Sequence, residues 1–254
     1  GAAQVWVGFR GYSTAYSTGA NPAADVCDVS TGLTCTTINI LSNGKFDAAT
    51  AAGSSSCLVS CNVSKLYDQT GGGIHLTQST NANRPIVVFG AISGLACMSF
   101  SSNQNLVNAT GLSVQAQPFT VSAVNKKSTS AQAATPNIFG ASVTPAGAFY
   151  NGSATPQSVG TYAGSAPVIN ATASDGAFHT EQFLFNGAAS NIIVDTTTTS
   201  GNLGGNAFTG NITIGQPSST FDTFIECEAG VWNGTFSGTV QTNLNSQQHA
   251  FWGF

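Results

Sequence analysis

Short apolar runs, broken every few residues by Gly, Asn, Thr or Pro, constrain this chain more than any other feature. Val5-Trp6-Val7-Gly8-Phe9, Thr36-Thr37-Ile38-Asn39-Ile40, Pro85-Ile86-Val87-Val88-Phe89 and Leu95-Ala96-Cys97-Met98-Ser99-Phe100 set the pattern in the first half. Residues 119–124, 137–141, 179–185, 191–195, 210–215 and 223–232 continue it. β-branched and aromatic residues suit a pleated surface, and Gly, Asn and Pro supply the turns between strands. Strong helix formers never accumulate over three turns. The expected class is all-β, with two packed antiparallel sheets. Helix is expected only as a turn or two near 46–52 and 246–249. No linker divides the chain, so residues 1–254 are expected to form one β-sandwich domain. The reaches 125–136 and 141–177 are expected to be loops or weak strands.

Six cysteines, at 27, 35, 57, 61, 97 and 227, stand in a chain without a Cys-x-x-Cys spacing. An even count without that spacing favours disulfides in an oxidising compartment over a metal site. Cys27–Cys35 and Cys57–Cys61 would each close a short loop. Cys97–Cys227 is left to join an early strand to a late one. Four cysteines fall in residues 1–80, which are therefore expected to be an irregular, disulfide-pinned lead-in packed on a main sandwich of 81–254. Zinc is the rival reading, but His75, His179 and His249 are scattered and no ligand cluster surrounds them.

Only 6% of the 254 residues are charged, and the formal net charge is −4. A nucleic-acid partner is not expected, because binding a polyphosphate takes several Lys or Arg acting together. The single adjacent basic pair, Lys126-Lys127, is expected in a solvated turn. No apolar run of about 18 residues is present, so no membrane insertion is expected. The chain opens at Gly1 without Met, which is read as a mature or trimmed product. A surface built of hydroxyls and amides suits an extracellular, secreted or virion- or cell-surface protein. Six Asn-x-Ser/Thr sequons, at Asn62, Asn108, Asn151, Asn170, Asn211 and Asn233, are attributed to chance in so Asn- and Thr-rich a chain.

One stretch reads as a signature: Lys65-Leu66-Tyr67-Asp68-Gln69-Thr70-Gly71-Gly72-Gly73-Ile74-His75-Leu76-Thr77-Gln78. Together with Tyr16 and the close pair Cys57 and Cys61, it resembles the catalytic domain of family 54 α-L-arabinofuranosidases. There a cysteine pair precedes a Tyr-Asp-Gln-Ser-Gly segment that ends in Asn-His-Leu-Thr-Gln. The second half is similar to the laminin-G/concanavalin-like group, with Phe183-Leu184-Phe185-Asn186-Gly187 before Ile192-Ile193-Val194-Asp195 as a hairpin. The resemblance implies a concanavalin-like (jelly-roll) sandwich of a kind also found in bacteriophage structural and bacterial surface proteins. The family's chemistry is not expected to carry over. Its nucleophile lies in an Asp-x-Glu-Asn-Asn run and its acid in an Ile-Gly-Gly-Asp run. Here residues 137–195 offer Asp175, Glu181 and Asp195 outside such a run, and the acid's place reads Ile214-Gly215-Gln216-Pro217. The adjacent Cys-Cys platform is missing as well.

The candidate carboxyls are Glu226 and Glu228, with Asp222 and Asp195 beside them. Residues two apart on a strand share a face and lie roughly 7 Å apart. An acid/base pair is one reading. The other, preferred because same-strand neighbours do not straddle a glycosidic bond, is two solvent-facing carboxylates with Cys227 turned inward. Glu226, Glu228 and Asp222 also suit calcium, although no calcium loop accompanies them. No cofactor is expected. Asp68, Gln69, His75 and Trp232 are the candidate glycan contacts. Against that, Asp68 would cap the glycine turn, His75 would be a structural histidine, and Trp6, Trp232 and Trp252 would be packing. The expected function is a non-catalytic, lectin-like or structural surface module that contacts a neutral glycan or neighbouring subunits in an assembly. The alternatives are a glycoside hydrolase of arabinofuranosidase type using a carboxylate pair, and a purely architectural, self-associating protein.

Overall fold

The computed structural model describes residues 1–108, 111–127, 136–141, 146–151, 158–170, 175–215 and 223–254. The strands are β1 (Val5–Gly8), β2 (Pro22–Asp28), β3 (Cys35–Asn39), β4 (Cys61–Leu66), β5 (Leu76–Thr77), β6 (Ile86–Ile92) and β7 (Leu95–Phe100). They continue with β8 (Asn105–Val107), β9 (Leu112–Gln115), β10 (Phe119–Lys127), β11 (Asn137–Ala141), β12 (Gly147–Asn151), β13 (Ser158–Tyr162) and β14 (Val168–Asn170). The last are β15 (Phe178–Phe185), β16 (Ser190–Val194), β17 (Thr197–Gly201), β18 (Phe208–Gly210), β19 (Ile212–Gly215) and β20 (Phe224–Asn233). Among the described residues three α-helices accompany them: α1 (Thr14–Thr18), α2 (Ala48–Gly53) and α3 (Gly238–Trp252).

The class is all-β and the pairing is antiparallel, but the strands do not separate into two sheets. Eighteen of them belong to one hydrogen-bonded network, and β9 pairs with β18 apart from it. A single path runs β17-β16-β15-β10-β20-β7-β6-β4. It goes on β4-β5-β8-β19-β11-β12-β13-β14. The path nearly closes: across the gap between its ends, Asn170 Nδ2 donates to the Thr197 carbonyl at 3.5 Å. Very short strands and register shifts, such as those in the β2–β4 and β6–β7 pairs, let the ladder turn its corners. Within 141–177, expected as loops or weak strands, lie the short strands β12, β13 and β14.

Residues 1–80 are not an irregular lead-in. They supply β1 to β5, all joined to the same network. The disulfides are Cys27–Cys35, Cys57–Cys61 and Cys97–Cys227. The first lies directly across the β2–β3 ladder, and the last ties β7 to β20.

The core fills the space enclosed by the ladder. Phe100 stacks on Phe224 and Phe119 on Phe185, with ring centroids 4.9 and 4.3 Å apart. Outside, α3 lies along β15: Gln182 Nε2 donates to the Gln241 carbonyl at 3.0 Å, and Thr180 Oγ1 to Asn245 Oδ1 at 2.8 Å. This helix has 15 residues where a turn or two was expected. Its Thr, Asn, Gln and Ser content is weak for helix. Position compensates, because Ser237 caps its first turn, Gly253 closes it at φ 76°, and Gln248 and Trp252 are buried against the sheet.

Candidate active site: an acid pair inside the sheet

The geometry turns on one bulge. On β10, Val124 pairs with Glu228 and the next residue, Asn125, pairs with Glu226, so Cys227 is the extra residue of β20. Val124 and Asn125 point to opposite faces of their strand, and their partners do likewise. Glu226 and Glu228 therefore do not share a face, as regular alternation would have required. Both are fully buried, so they are not solvent-facing carboxylates either.

Glu228 faces α3. Its carboxylate takes two bonds from the Arg10 guanidinium, Nη2–Oε1 being 2.8 Å, and a third from Gln248 Nε2 at 2.9 Å. Arg10 is held between the Trp6 and Phe251 rings, 5.1 and 5.5 Å from their centroids. Gly8 makes the approach possible: a Cβ there would lie 2.5 Å from the Glu228 Cα, and its φ is 137°.

Glu226 faces the interior, and there it meets Glu181. The latter pairs with Ala123, on the same face of β10 as Asn125. Asn125 Nδ2, between the two acids, donates to Glu181 Oε2 at 2.7 Å. The other Glu181 oxygen, both Glu226 oxygens and the Tyr150 hydroxyl have no hydrogen-bond partner, and all are buried. Burial lifts the Glu181 carboxyl to about 7, with the Asn125 bond and the His179 charge pulling the other way. Burial, then Glu181, then Glu228 lift Glu226 well above the carboxylate range. Burial and the two acids likewise push the Tyr150 phenol well up.

A second polar group borders the first. His179 Nδ1 lies 2.7 Å from Asp195 Oδ2, and Nε2 lies 2.9 Å from Asp175 Oδ1. Burial disfavours the imidazolium, but the bonds and charges of the two aspartates prevail and raise His179 to about 9. Asp195 also accepts from the Thr180 N–H at 3.0 Å and lies 3.2 Å from His249 Nε2, which joins this group to α3.

The sequence-derived candidates are dispersed. Asp68 is buried, accepting from the Trp6, Thr70 and Ile74 amides and the Thr70 hydroxyl, so it caps its own turn and anchors β1. Gln69 accepts from the Tyr12 N–H and donates to the Gly8 carbonyl. His75 Nδ1 accepts from the Asp68 N–H at 3.0 Å, and its ring meets Tyr67 edge-on. Trp232 packs between Trp6 and Phe236, and Trp252 is in the main core. Lys126 and Lys127 belong to β10, not to a solvated turn, and Lys127 is buried. Asp222, Gln216 and Pro217 lie outside the described residues. Glu226 and Glu228, on opposite faces, cannot share a calcium ion. Among the described residues no group of three or more His, Cys, Asp or Glu is arranged to hold a metal.

Solved structures of similar shape share the fold over almost the whole chain. A GH54 α-L-arabinofuranosidase soaked with a cyclic sulfate inhibitor matches 96% of this chain and 62% of its own, with TM-score 0.70 and 15% identity. An arabinofuranosidase complexed with arabinofuranosyl-α-1,2-xylobiose matches 96% and 61%, at 0.69 and 15%. A Trypanosoma rangeli sialidase in complex with sialic acid matches 73% and 31%, at 0.52 and 12%. No family model and no curated protein matches the chain. At such identities the likeness is one of fold, and the chain spans about 62% of the arabinofuranosidase's length.

The finding corrects the expectation of a non-catalytic surface module, because the folds that match are those of glycoside hydrolases. It also directs attention to Glu181, which sequence reasoning passed over. Glu181 is the one acid in the strand-like run 179–185. Reading that position and side-chain class, instead of the whole motif, would have found it.

Proposed function

We propose that this chain is a glycoside hydrolase of arabinofuranosidase type with Glu181 and Glu226 as its carboxyl pair. One observation carries the reading: two acids on the strands that flank β10 share an interior face, with oxygens free of protein partners, proton affinities raised by burial, and an Asn125 bond on one of the two alone. Environments that separate two carboxyls in this way assign acid and base. Glu226, which has no hydrogen bond to stabilise a charge, stays protonated and gives its proton to the glycosidic oxygen as that bond breaks. Glu181 accepts an Asn125 N–H and faces the His179 charge, so it ionises first and attacks the anomeric carbon or takes a proton from the attacking water. The two acids are about two interstrand spacings apart, roughly 10 Å at the backbone. Both are closed off from solvent, so a sugar reaches them only when the surrounding structure opens. A neutral sugar fits a site read by amides and a phenol. Three disulfides suit an oxidising, extracellular setting, and we read residues 1–254 as one domain without a cofactor.

The test is release of nitrophenol from 4-nitrophenyl α-L-arabinofuranoside. Glu181→Gln and Glu226→Gln should each cut kcat/KM by about a thousandfold or more while melting no lower than wild type. An inert wild-type protein, or two active variants, would sink the reading.

A further inference from the structure

Tyr150 reaches the acid pair from the other side. It lies on β12, which pairs with β11 and β13 and not with any strand that carries an acid of the pair. Its ring meets Phe224 edge-on, centroids 5.1 Å apart, and Phe224 lies two residues from Glu226 on β20. The side chain is wholly buried and its hydroxyl has no partner. The other tyrosine hydroxyls with described bonds are engaged: Tyr67 donates to Asp25, Tyr16 donates to the Pro22 carbonyl, and Tyr12 accepts from the Ala3 N–H. A buried hydroxyl left unbonded forfeits the water it had when unfolded. Here it is grouped with three carboxyl oxygens in the same condition. The phenol lies near enough to both acids to feel their charge, and four unpartnered polar atoms so grouped suit a polar guest.

We propose that Tyr150 is a substrate-binding residue of this site, holding a hydroxyl of the bound sugar from the layer opposite the two carboxyls. The inference rests on the reading of Glu181 and Glu226 as the hydrolytic pair. Burial and the two acids keep the phenol protonated, so at neutral pH it is a donor. A sugar hydroxyl set between accepts from Tyr150 and donates to a carboxylate, which satisfies both sides with one group. The interaction supplies affinity and orientation, and no bond to Tyr150 forms or breaks.

Kinetics on 4-nitrophenyl α-L-arabinofuranoside and its three monodeoxy analogues test this. Tyr150→Phe should lower kcat/KM for the parent 10- to 100-fold, leaving Tm unchanged or raised, because the orphaned hydroxyl is gone. For one monodeoxy analogue, wild type and variant should converge. Wild type alone should lose a similar factor on that analogue, a readout that does not depend on the variant's folding. A Tyr150→Phe enzyme with parent activity within twofold of wild type overturns the inference and leaves the hydrolase reading standing. So does a lowered Tm with unchanged preference among the analogues, the signature of a hydroxyl that merely holds an internal water. Wild type that cleaves none of the four substrates overturns both.

Discussion

Glu226 and Glu228 belong to one strand, two residues apart, and are equally buried, yet their surroundings are opposite. On the α3 side Glu228 is bonded by a guanidinium and an amide, and the guanidinium is itself sandwiched between aromatic rings. On the interior side Glu226 has no hydrogen bond and faces another acid. A buried charge must be compensated or discharged. The first carboxyl is compensated and works as a clamp between β1, β20 and α3. The second is discharged by taking a proton, and that makes it available to give one up. Burial alone therefore says nothing about whether an acid is structural or reactive; the count of its partners does.

The contrast can be broken most forcefully at the clamp. Glu228→Ala strands Arg10 beside a buried hole, and removing one partner of such a pair costs about 3–5 kcal/mol. Urea denaturation should show this, and a loss below about 1 kcal/mol would erase the distinction between the faces.

Next in size is a pH dependence located on the interior side. With the Glu181 carboxyl raised from 4.5 to about 7, its contribution to stability is complete below pH 4.5 and is lost as pH climbs through 7. At about 1.4 kcal/mol per unit this is on the order of 3 kcal/mol. Glu226 shifts in the same direction and deepens the fall. His179, raised from 6.5 to about 9, contributes below pH 6.5 and loses that contribution as pH passes 9. Thermal melts from pH 4 to 10 should descend in both windows, with Glu181→Gln removing the lower step and His179→Gln the upper. A flat profile would refute the electrostatic picture.

The smallest effect is expected where a naive count of buried charges predicts the largest. Below pH 4.5, where Glu226 is protonated in both the folded and unfolded chain, Glu226→Gln exchanges one neutral group for another of equal shape, so the unfolding free energy measured there should move by no more than about 1 kcal/mol. A loss approaching that of Glu228→Ala would mean that Glu226 is ionised and paired.

Much of the fold was legible in residues: short apolar runs between Gly and Asn turns are strands almost where expected, and 46–52 carries α2. What escaped depends on tertiary placement. The sheet's continuity through β4, β5 and β8 rests on strands of six residues or fewer whose pairing no local pattern announces. The length of α3 rests on its caps and on Trp252 entering the core. The site was half legible, for a physical reason. Glu226 was visible as an acid in a strand, but its face was set by Cys227 bulging out of register, which alternation cannot foresee. Glu181 was visible as an acid in a strand-like run, but the acid it meets lies on β20, across β10, and no local pattern announces that meeting.

The near closure of the ladder has a consequence for a chain so sparse in charge. Open strand edges invite copies to pair edge to edge, and many proteins ward this off with lysines or inward charges. With 6% charged residues, that defence is scarcely on hand. A sheet that returns upon itself spends many of its own backbone donors and acceptors, and among the described residues the seam between β14 and β17 and the outer edge of β3 are strips where a stranger could dock.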